Sequence, residues 1–373
     1  MSEAAYVVVF PNEFSKNKIS QLIINIKKIL KAKNQEYVSV KRDDDVILVD
    51  ANDPVFASSA INLLFGIDKI AISRQTKNNF DDIVSEITSV GGNLLLKNER
   101  FLIRVEGITK GFFAKDVELA ATSSIIEKKA NMEAKPGTDN DYDKMIYTYL
   151  TKKNAYISIF SDEGQGGIPY QSQNQKAICS VYDEISAISC YETIKQGFDS
   201  KIIVCYRKES ELMSLAKVLN QIIPRLVKKE VEIEFFHTKV SGSGMGSYLL
   251  FLSCVFEIMA TLAKESKIDH VSVALSPLIF SGKFIDETVK RIFQKGLIPV
   301  IPMSGLDSNL FSVAREIRLE NSIPKIKRLI SKRSNNSPKH SEKIVSDAIK
   351  SRQSIAITIG PNNVHDILDS LKH

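Results

Sequence analysis

From Lys176 to the end, the sequence alternates strictly between short apolar runs rich in β-branched residues and segments of helical length. "KAICSVY", "KIIVCY", "VEIEFFHTKV", "HVSVALS" and "LIPVIPMS" are the apolar runs, and a helical pattern follows each of them. Few folds accept this rhythm. Strands apolar on both faces must be covered on both sides, and a crossover helix returns each strand parallel to its neighbour. The pattern predicts a Rossmann-like parallel sheet with helices on both faces, extended at its end by the strand "SIAITIG" and the helix "NNVHDILDSLKH".

The first part of the chain follows a different order. "AYVVVF" has the pattern of a strand, "FSKNKISQLIINIKKILK" of an amphipathic helix, "EYVSVKRDDDVILVDA" of a hairpin, "PVFASSAINLLFG" of a helix and "KIAIS" of a strand. This β-α-β-β-α-β order is the ferredoxin-like signature. It recurs more loosely in the helix "FDDIVSEITSVGGNLL", the strand "RFLIRVEG", the helix "KDVELAATSSIIEKKA" and a hairpin of "KMIYTYLT" with "AYISIFSDEGQ". The polar stretch "NMEAKPGTDNDYD" is expected to be a loop, and "GQGGIPYQSQNQ", rich in Gly, Pro and Gln, a linker. With 373 residues there is room for two or three domains. The expected division is 1–74 and 75–163, both α+β, a linker over 164–175, and the α/β sheet domain over 176–373.

Composition narrows the function classes. Cys179, Cys190, Cys205 and Cys254 form no C-x-x-C pair and the five histidines are scattered, so no metal site is expected. The start "MSEAAYVVVF" lacks the basic and long apolar regions of a signal peptide, and "YLLFLSCVFEIMATLA" (248–263) is shorter than the roughly 20 residues of a membrane span and carries Glu257. The expectation is a cytoplasmic protein without a membrane partner, its thiols reduced in the core and residues 248–263 a buried helix. A formal net charge of +6 permits an acidic partner such as RNA without requiring one.

Several stretches together resemble the ThiI-type tRNA 4-thiouridine synthetases, which join a ferredoxin-like domain, an RNA-binding THUMP domain and a PP-loop ATP pyrophosphatase domain. "RFLIRVEGITKGFFAKDVELAA" is similar to the central THUMP strand, loop and helix. "EGQGGIPY" is similar to the hinge into the catalytic domain, "FFHTKV" to a strand end there, and "IPMSGLDSNLFSVAREI" to the family's P-L-x-x-x-D-K-x-x-x-x-x-A-R-x-I segment. The resemblance assigns 1–74 to the ferredoxin-like domain, 75–163 to THUMP and 176–373 to the pyrophosphatase-type domain.

The family grips ATP with the loop SGGFDS, and "QGFDS" at 196–200 copies its end. A phosphate loop must leave a strand and open a helix, so that unpaired N–H groups and the positive helix end meet the anion. Here a helical pattern precedes Gly197 and a strand follows, which assigns Gly197 to helix termination. The position matching the motif follows "KAICSVY" and holds Val181, Tyr182, Asp183, Glu184, Ile185 and Ser186. Both glycines are missing there, and two carboxylates stand at the helix start, where they cap the helix and repel a triphosphate. A second candidate phosphate loop, "SGSGMGSYLL", offers Gly242, Gly244 and Gly246 between a strand and a helix, with no Lys or Arg in the helix turns that follow.

The sulfur chemistry implied by the family needs a cysteine in the C-terminal part of the pyrophosphatase domain. No cysteine follows Cys254, and serine cannot carry a persulfide. The family's T-G-E-x-x-G-Q pattern is replaced by "ALSPLIFSG". For RNA contact the resemblance leaves Arg104, Lys110, Lys115, Lys128 and Lys129 in the THUMP segment. A basic run adds Lys325, Lys327, Arg328, Lys332 and Arg333, with Lys339 beyond. The reading these features support is a ThiI-like protein that binds tRNA or another structured RNA, has lost its ATP and sulfur chemistry, takes no cofactor, and acts beside a protein partner or as a homodimer. An active ATP-dependent tRNA-modifying enzyme, using ATP with Mg at Gly242 to Gly246 and a partner's sulfur donor, is the alternative. A protein-interaction scaffold without RNA is the third.

Overall fold

A computed structural model describes residues 5–128, 133–304, 309–331, 341–360 and 363–371. The chain divides into two compact units, 1–167 and 168–373. The first contains β1 (Ala5–Pro11), α1 (Ile19–Ala32), β2 (Tyr37–Asp43), β3 (Val46–Ala51), α2 (Pro54–Ile61), β4 (Ile67–Lys77), α3 (Phe80–Leu94), β5 (Arg100–Gly107), α4 (Ala114–Lys128), β6 (Lys135–Pro136), β7 (Lys144–Leu150) and β8 (Asn154–Gly166). The expected β-α-β-β-α-β order runs from β1 to β4, and the looser repeat follows it.

These strands make one eight-stranded sheet in the order β2-β3-β1-β4-β8-β7-β5-β6. The join is β4 against β8, antiparallel from Ile67 opposite Gly166 to Lys77 opposite Asn154. Residue 74, where a boundary was expected, lies within β4. On one face α3 and α4 supply Ile83, Ile87, Val117, Ala121 and Ile125, which pack on Phe101, Ile103, Ile146 and Ile157 of the strands. The polar stretch expected to be a loop differs in one respect: Lys135 and Pro136 pair with Arg100 and Phe101 as the edge strand β6. An edge is where a proline, having no N–H to give, is tolerated.

The second unit contains β9 (Lys176–Val181), α5 (Glu184–Lys195), β10 (Asp199–Tyr206), α6 (Leu212–Ile222), β11 (Glu230–His237), α7 (Met245–Glu265), β12 (His270–Ser272), α8 (Gly282–Gln294), β13 (Ile298–Val300), α9 (Asn309–Glu316), α10 (Ile323–Ser331), α11 (Glu342–Lys350), β14 (Gln353–Thr358) and α12 (Asn363–Ser370). Its sheet has the order β13-β12-β9-β10-β11-β14. The first five strands are parallel, as the alternation predicts. The last differs: β14 runs antiparallel to β11, Val231 opposite Ile357, giving the mixed edge common on such sheets. Residues 248–263 fall in α7, which is 21 residues long and passes the length and apolarity test for a membrane span. It packs instead on β9, β12, α8 and α11, with Phe251, Leu252, Val255, Ile258 and Met259 buried.

Candidate functional site

Strand order reverses between β9 and β12, and in open sheets of this kind ligands bind beyond the carboxyl ends of the strands near such a reversal. A cavity of about 1070 Å³ opens at that edge, where β9, β10 and β11 end and α5 and α7 begin. Both phosphate-loop candidates line it. "QGFDS" does not: Gly197 follows the end of α5 with φ +86 and its N–H donates to Ile194 O at 2.9 Å. Asp199 lies opposite Lys176 at the amino ends of β10 and β9, where its carboxylate accepts from the Tyr170 hydroxyl (2.6 Å) and Lys228 Nζ (2.8 Å).

Val181 ends β9 and Asp183 caps α5. Asp183 Oδ1 accepts from the Ser186 N–H at 2.8 Å, and Ser186 Oγ accepts from the N–H groups of Tyr182 and Asp183 at 2.8 and 2.9 Å. These bonds occupy three of the backbone donors around the start of α5, those of Tyr182, Asp183 and Ser186. The other carboxylate oxygen, Oδ2, accepts from the Tyr248 hydroxyl at 2.6 Å. Burial raises the Asp183 carboxyl above its ordinary value, since neighbouring atoms exclude the water that would solvate its charge. Glu184 is buried too, and Lys325 Nζ reaches both of its oxygens at 2.8 and 2.6 Å. Ile185 and Ser186, in the first turn of the helix, are buried.

The second loop is built differently. Gly242 and Gly244 have φ values of +98 and +103, and α7 begins after Gly244 without a side-chain cap. Gly246 lies in the first turn of α7, and a Cβ added at Gly244 or Gly246 would meet nothing within 4 Å. The start of α7 therefore has room beside it, unlike the start of α5. Basic groups reach the cavity from the strand ends, where sequence reasoning did not look: Arg207 and Lys208 after β10, Lys239 after β11. Arg207 is shared with Glu211 at 3.3 Å, and the His237 ring stacks on Tyr206 with its Nε2 3.1 Å from Arg207 O. The first polar residues after consecutive parallel strands are the signal that could have found them. Residues 181–186 lack the glycines of the family's loop and carry the Asp183 carboxylate, with its own hydrogen bonds, at the start of α5.

The expected RNA contacts fall in both units. Lys110 and Lys128 are exposed. Arg104 is bound to Asp139, and Lys115 to Glu118 at 3.0 Å. In the second unit Lys325 is held by Glu184, Lys327 stands 5.3 Å from the centre of the Phe311 ring, and Arg328 is exposed. Lys129, Lys332, Arg333 and Lys339 lie outside the described residues, as does part of "IPMSGLDSNLFSVAREI". Among the described residues no cluster of His, Cys, Asp and Glu could hold a metal ion.

The fold and its cavity define a class: an α+β unit followed by a mostly parallel sheet covered by helices, with a cavity at the carboxyl ends of its strands. No family model matches the chain. A probable tRNA sulfurtransferase of Methanosarcina mazei is 22% identical over 178 residues, 47% of this chain and 44% of that protein. The tRNA sulfurtransferase of Blochmanniella pennsylvanica is 28% identical over 198 residues, 50% of this chain and 38% of that protein. The chain thus matches less than half the length of these curated relatives. Among solved structures, a 4-thiouridine synthetase in complex with RNA and bound ATP superposes with a TM-score of 0.69 at 15% identity, covering 95% of this chain and 100% of the other. PH1313 from Pyrococcus horikoshii Ot3 superposes with a TM-score of 0.64 at 18% identity, covering 84% and 99%. The chain is thus similar in sequence, over about half its length, to tRNA sulfurtransferases, and shares its fold with a 4-thiouridine synthetase.

Proposed function

We propose that this chain is a ThiI-like, tRNA-binding protein in which the ATP pyrophosphatase and sulfurtransferase steps have been lost, acting in the cytoplasm as an accessory in tRNA modification. The observation that carries the loss is Asp183. Its carboxylate caps α5 at the point where an ATP-gripping loop offers backbone N–H groups, and Tyr248 holds the second oxygen in place. A triphosphate at that point would have to displace the cap and approach Glu184 as well. The missing cysteine after Cys254 supports the loss of sulfur transfer by this chain alone. RNA binding is supported by the likeness to a 4-thiouridine synthetase whose structure contains RNA, and by the exposed Lys110, Lys128, Lys327 and Arg328.

One observation favours the alternative of an ATP-dependent tRNA-modifying enzyme: the uncapped start of α7, with open space beside Gly244 and Gly246, lines the same cavity as Arg207 and Lys239. Calorimetric titration of the whole chain with ATP and Mg²⁺, paired with a mobility-shift assay on total tRNA, separates the readings. The expected result is no ATP heat and a clear tRNA shift. Micromolar ATP binding abolished by Gly244→Val would establish the alternative, and a chain that shifts no tRNA at low salt would leave only a scaffold.

A further inference from the structure

The sheet of the first unit is forked between two of its strands. β7 and β8 pair beside the turn that joins them, Thr148 opposite Ile157, Tyr149 opposite Tyr156 and Leu150 opposite Ala155, and among the described residues their pairing stops there. The cause is a bulge in β8. Against β4, Ser73 stands opposite Ser158 and Ile72 opposite Phe160, so Ile159 has no partner residue and the strand is re-aimed away from β7. From Ser158 to Gly166, β8 has β4 on one side. Its other edge presents backbone groups that no strand among the described residues takes up. The same holds for the edge of β7 from Lys144 to Tyr147, whose strand neighbour there is β5.

A cavity of about 690 Å³ lies in the fork. Met145 and Tyr147 line it from β7, Lys69 from β4, and the run from Ser161 to Gly164 from β8. β8 is held to β4 as far as Ile67 opposite Gly166, and a Cβ at Gly164 would stand 2.3 Å from Ile67 O, so the free edge is fixed from behind. The charge of the lining is mostly negative. Asp68, Asp162 and Glu163 are exposed, against one lysine among the lining residues. That lysine, Lys69, lays its amine 3.5 Å from the centre of the Tyr147 ring, with Glu106 and Asp68 acting on its charge. Asp162 accepts from the Asn62 amide at 3.0 Å and Glu106 from the Tyr147 hydroxyl at 2.8 Å, and neither donor carries a charge that would cancel theirs. On β5, beside β7, Arg104 is bound to Asp139.

We propose that this fork is a docking site for an extended, lysine- or arginine-bearing segment of a partner protein, which adds to the free edges as a strand. The inference gives the accessory reading above a surface for its partner and does not depend on tRNA binding. Free strand edges recognise a chain in extended form, because their N–H and C=O groups pair with those of an added strand. Met145, 41% exposed, offers that strand an apolar contact, and the three acids favour basic side chains over acidic ones. RNA is the other polymer with a long backbone to lay in a groove, but its phosphates would meet Asp68, Asp162 and Glu163.

The probe is a short fluorescein-labelled peptide of alternating lysine and valine, titrated with the full chain and followed by fluorescence anisotropy. A glutamate–valine peptide and a lysine–proline peptide are the controls. Saturable binding of the first is expected, none of the glutamate–valine peptide, and weaker binding of the lysine–proline peptide, whose prolines have no N–H to give. In hydrogen exchange read by mass spectrometry, the lysine–valine peptide should slow exchange over 144–147 and 158–166. Asp68→Lys with Glu163→Lys should weaken the peptide by roughly 10-fold, the scale of two exposed ion pairs, and leave tRNA binding unchanged. Equal binding of the two lysine peptides, or protection away from the fork, refutes the added strand. Slowed exchange at 158–166 that tRNA produces, or that a sedimenting dimer already shows and loses on dilution, would hand the fork to RNA or to a second copy and overturn the proposal. No peptide binding by a wild type that still shifts tRNA overturns this inference alone. Peptide binding at the fork by a wild type that shifts no tRNA supports it and removes the tRNA reading.

Discussion

Asp183 concentrates the chemistry of the cavity in one side chain. Its cap role was legible in the sequence because Asp183 and Ser186 have capping-box spacing after an apolar strand. Its bond to Tyr248, 65 positions away, was not, since it depends on α7 crossing above the end of β9. Burial raises the Asp183 carboxyl above the ordinary 3.8, so the folded chain holds this proton more tightly than the unfolded chain. Its contribution to stability is therefore most favourable below the ordinary value and declines as pH rises through the raised one. Asp183→Asn keeps a capping oxygen and removes the charge. In urea titrations the variant should gain on the wild type as pH rises above the ordinary carboxyl value, and a difference that stays constant with pH would contradict the burial. Asp183→Ala, which loses the cap, should cost about 1 kcal/mol even at the acid end.

Among the elements, β5 and its loop show where local pattern suffices and where it stops. The apolar alternation of "RFLIRVEG" located β5, Arg100–Gly107, residue for residue, because period-two burial leaves its mark on composition. That Gly107 must be glycine was not visible, because the reason is the carbonyl of Leu150 on another strand. Gly107→Ala should destabilise the chain by at least about 2 kcal/mol, combining the cost of a positive φ with the clash, and lower the urea midpoint without changing the slope. A loss below about 0.5 kcal/mol would mean that β5 and β7 part easily at their ends. The antiparallel course of β14 was likewise hidden: its residues would suit either direction, and the choice lies in where the chain re-enters the sheet.

At the scale of the whole molecule, the basic residues divide into those engaged and those free. Lys325 is tied to Glu184, so Lys325→Ala should barely alter the salt dependence of tRNA binding while removing the partner of a buried carboxylate. Lys327→Ala with Arg328→Ala should flatten the slope of log affinity against log salt by roughly 0.7–0.9 for each phosphate that is no longer neutralised, equally for different tRNAs. A filter-binding series across salt concentrations measures this, and an unchanged slope would remove α10 from the interface.

The sequence by itself determined the kinds and order of most elements, β6 apart, the termination of α5 at Gly197 and the absence of glycines from residues 181–186. These follow from neighbours along the chain, whose periodicity, capping groups and backbone freedom act over a few residues. Only the tertiary structure decided that residues 1–167 share one sheet, that both loop candidates border one cavity, and that Arg207 and Lys239 meet there. Such features depend on strand order and crossover, which bring together groups far apart in sequence, and similar local patterns are compatible with more than one strand order.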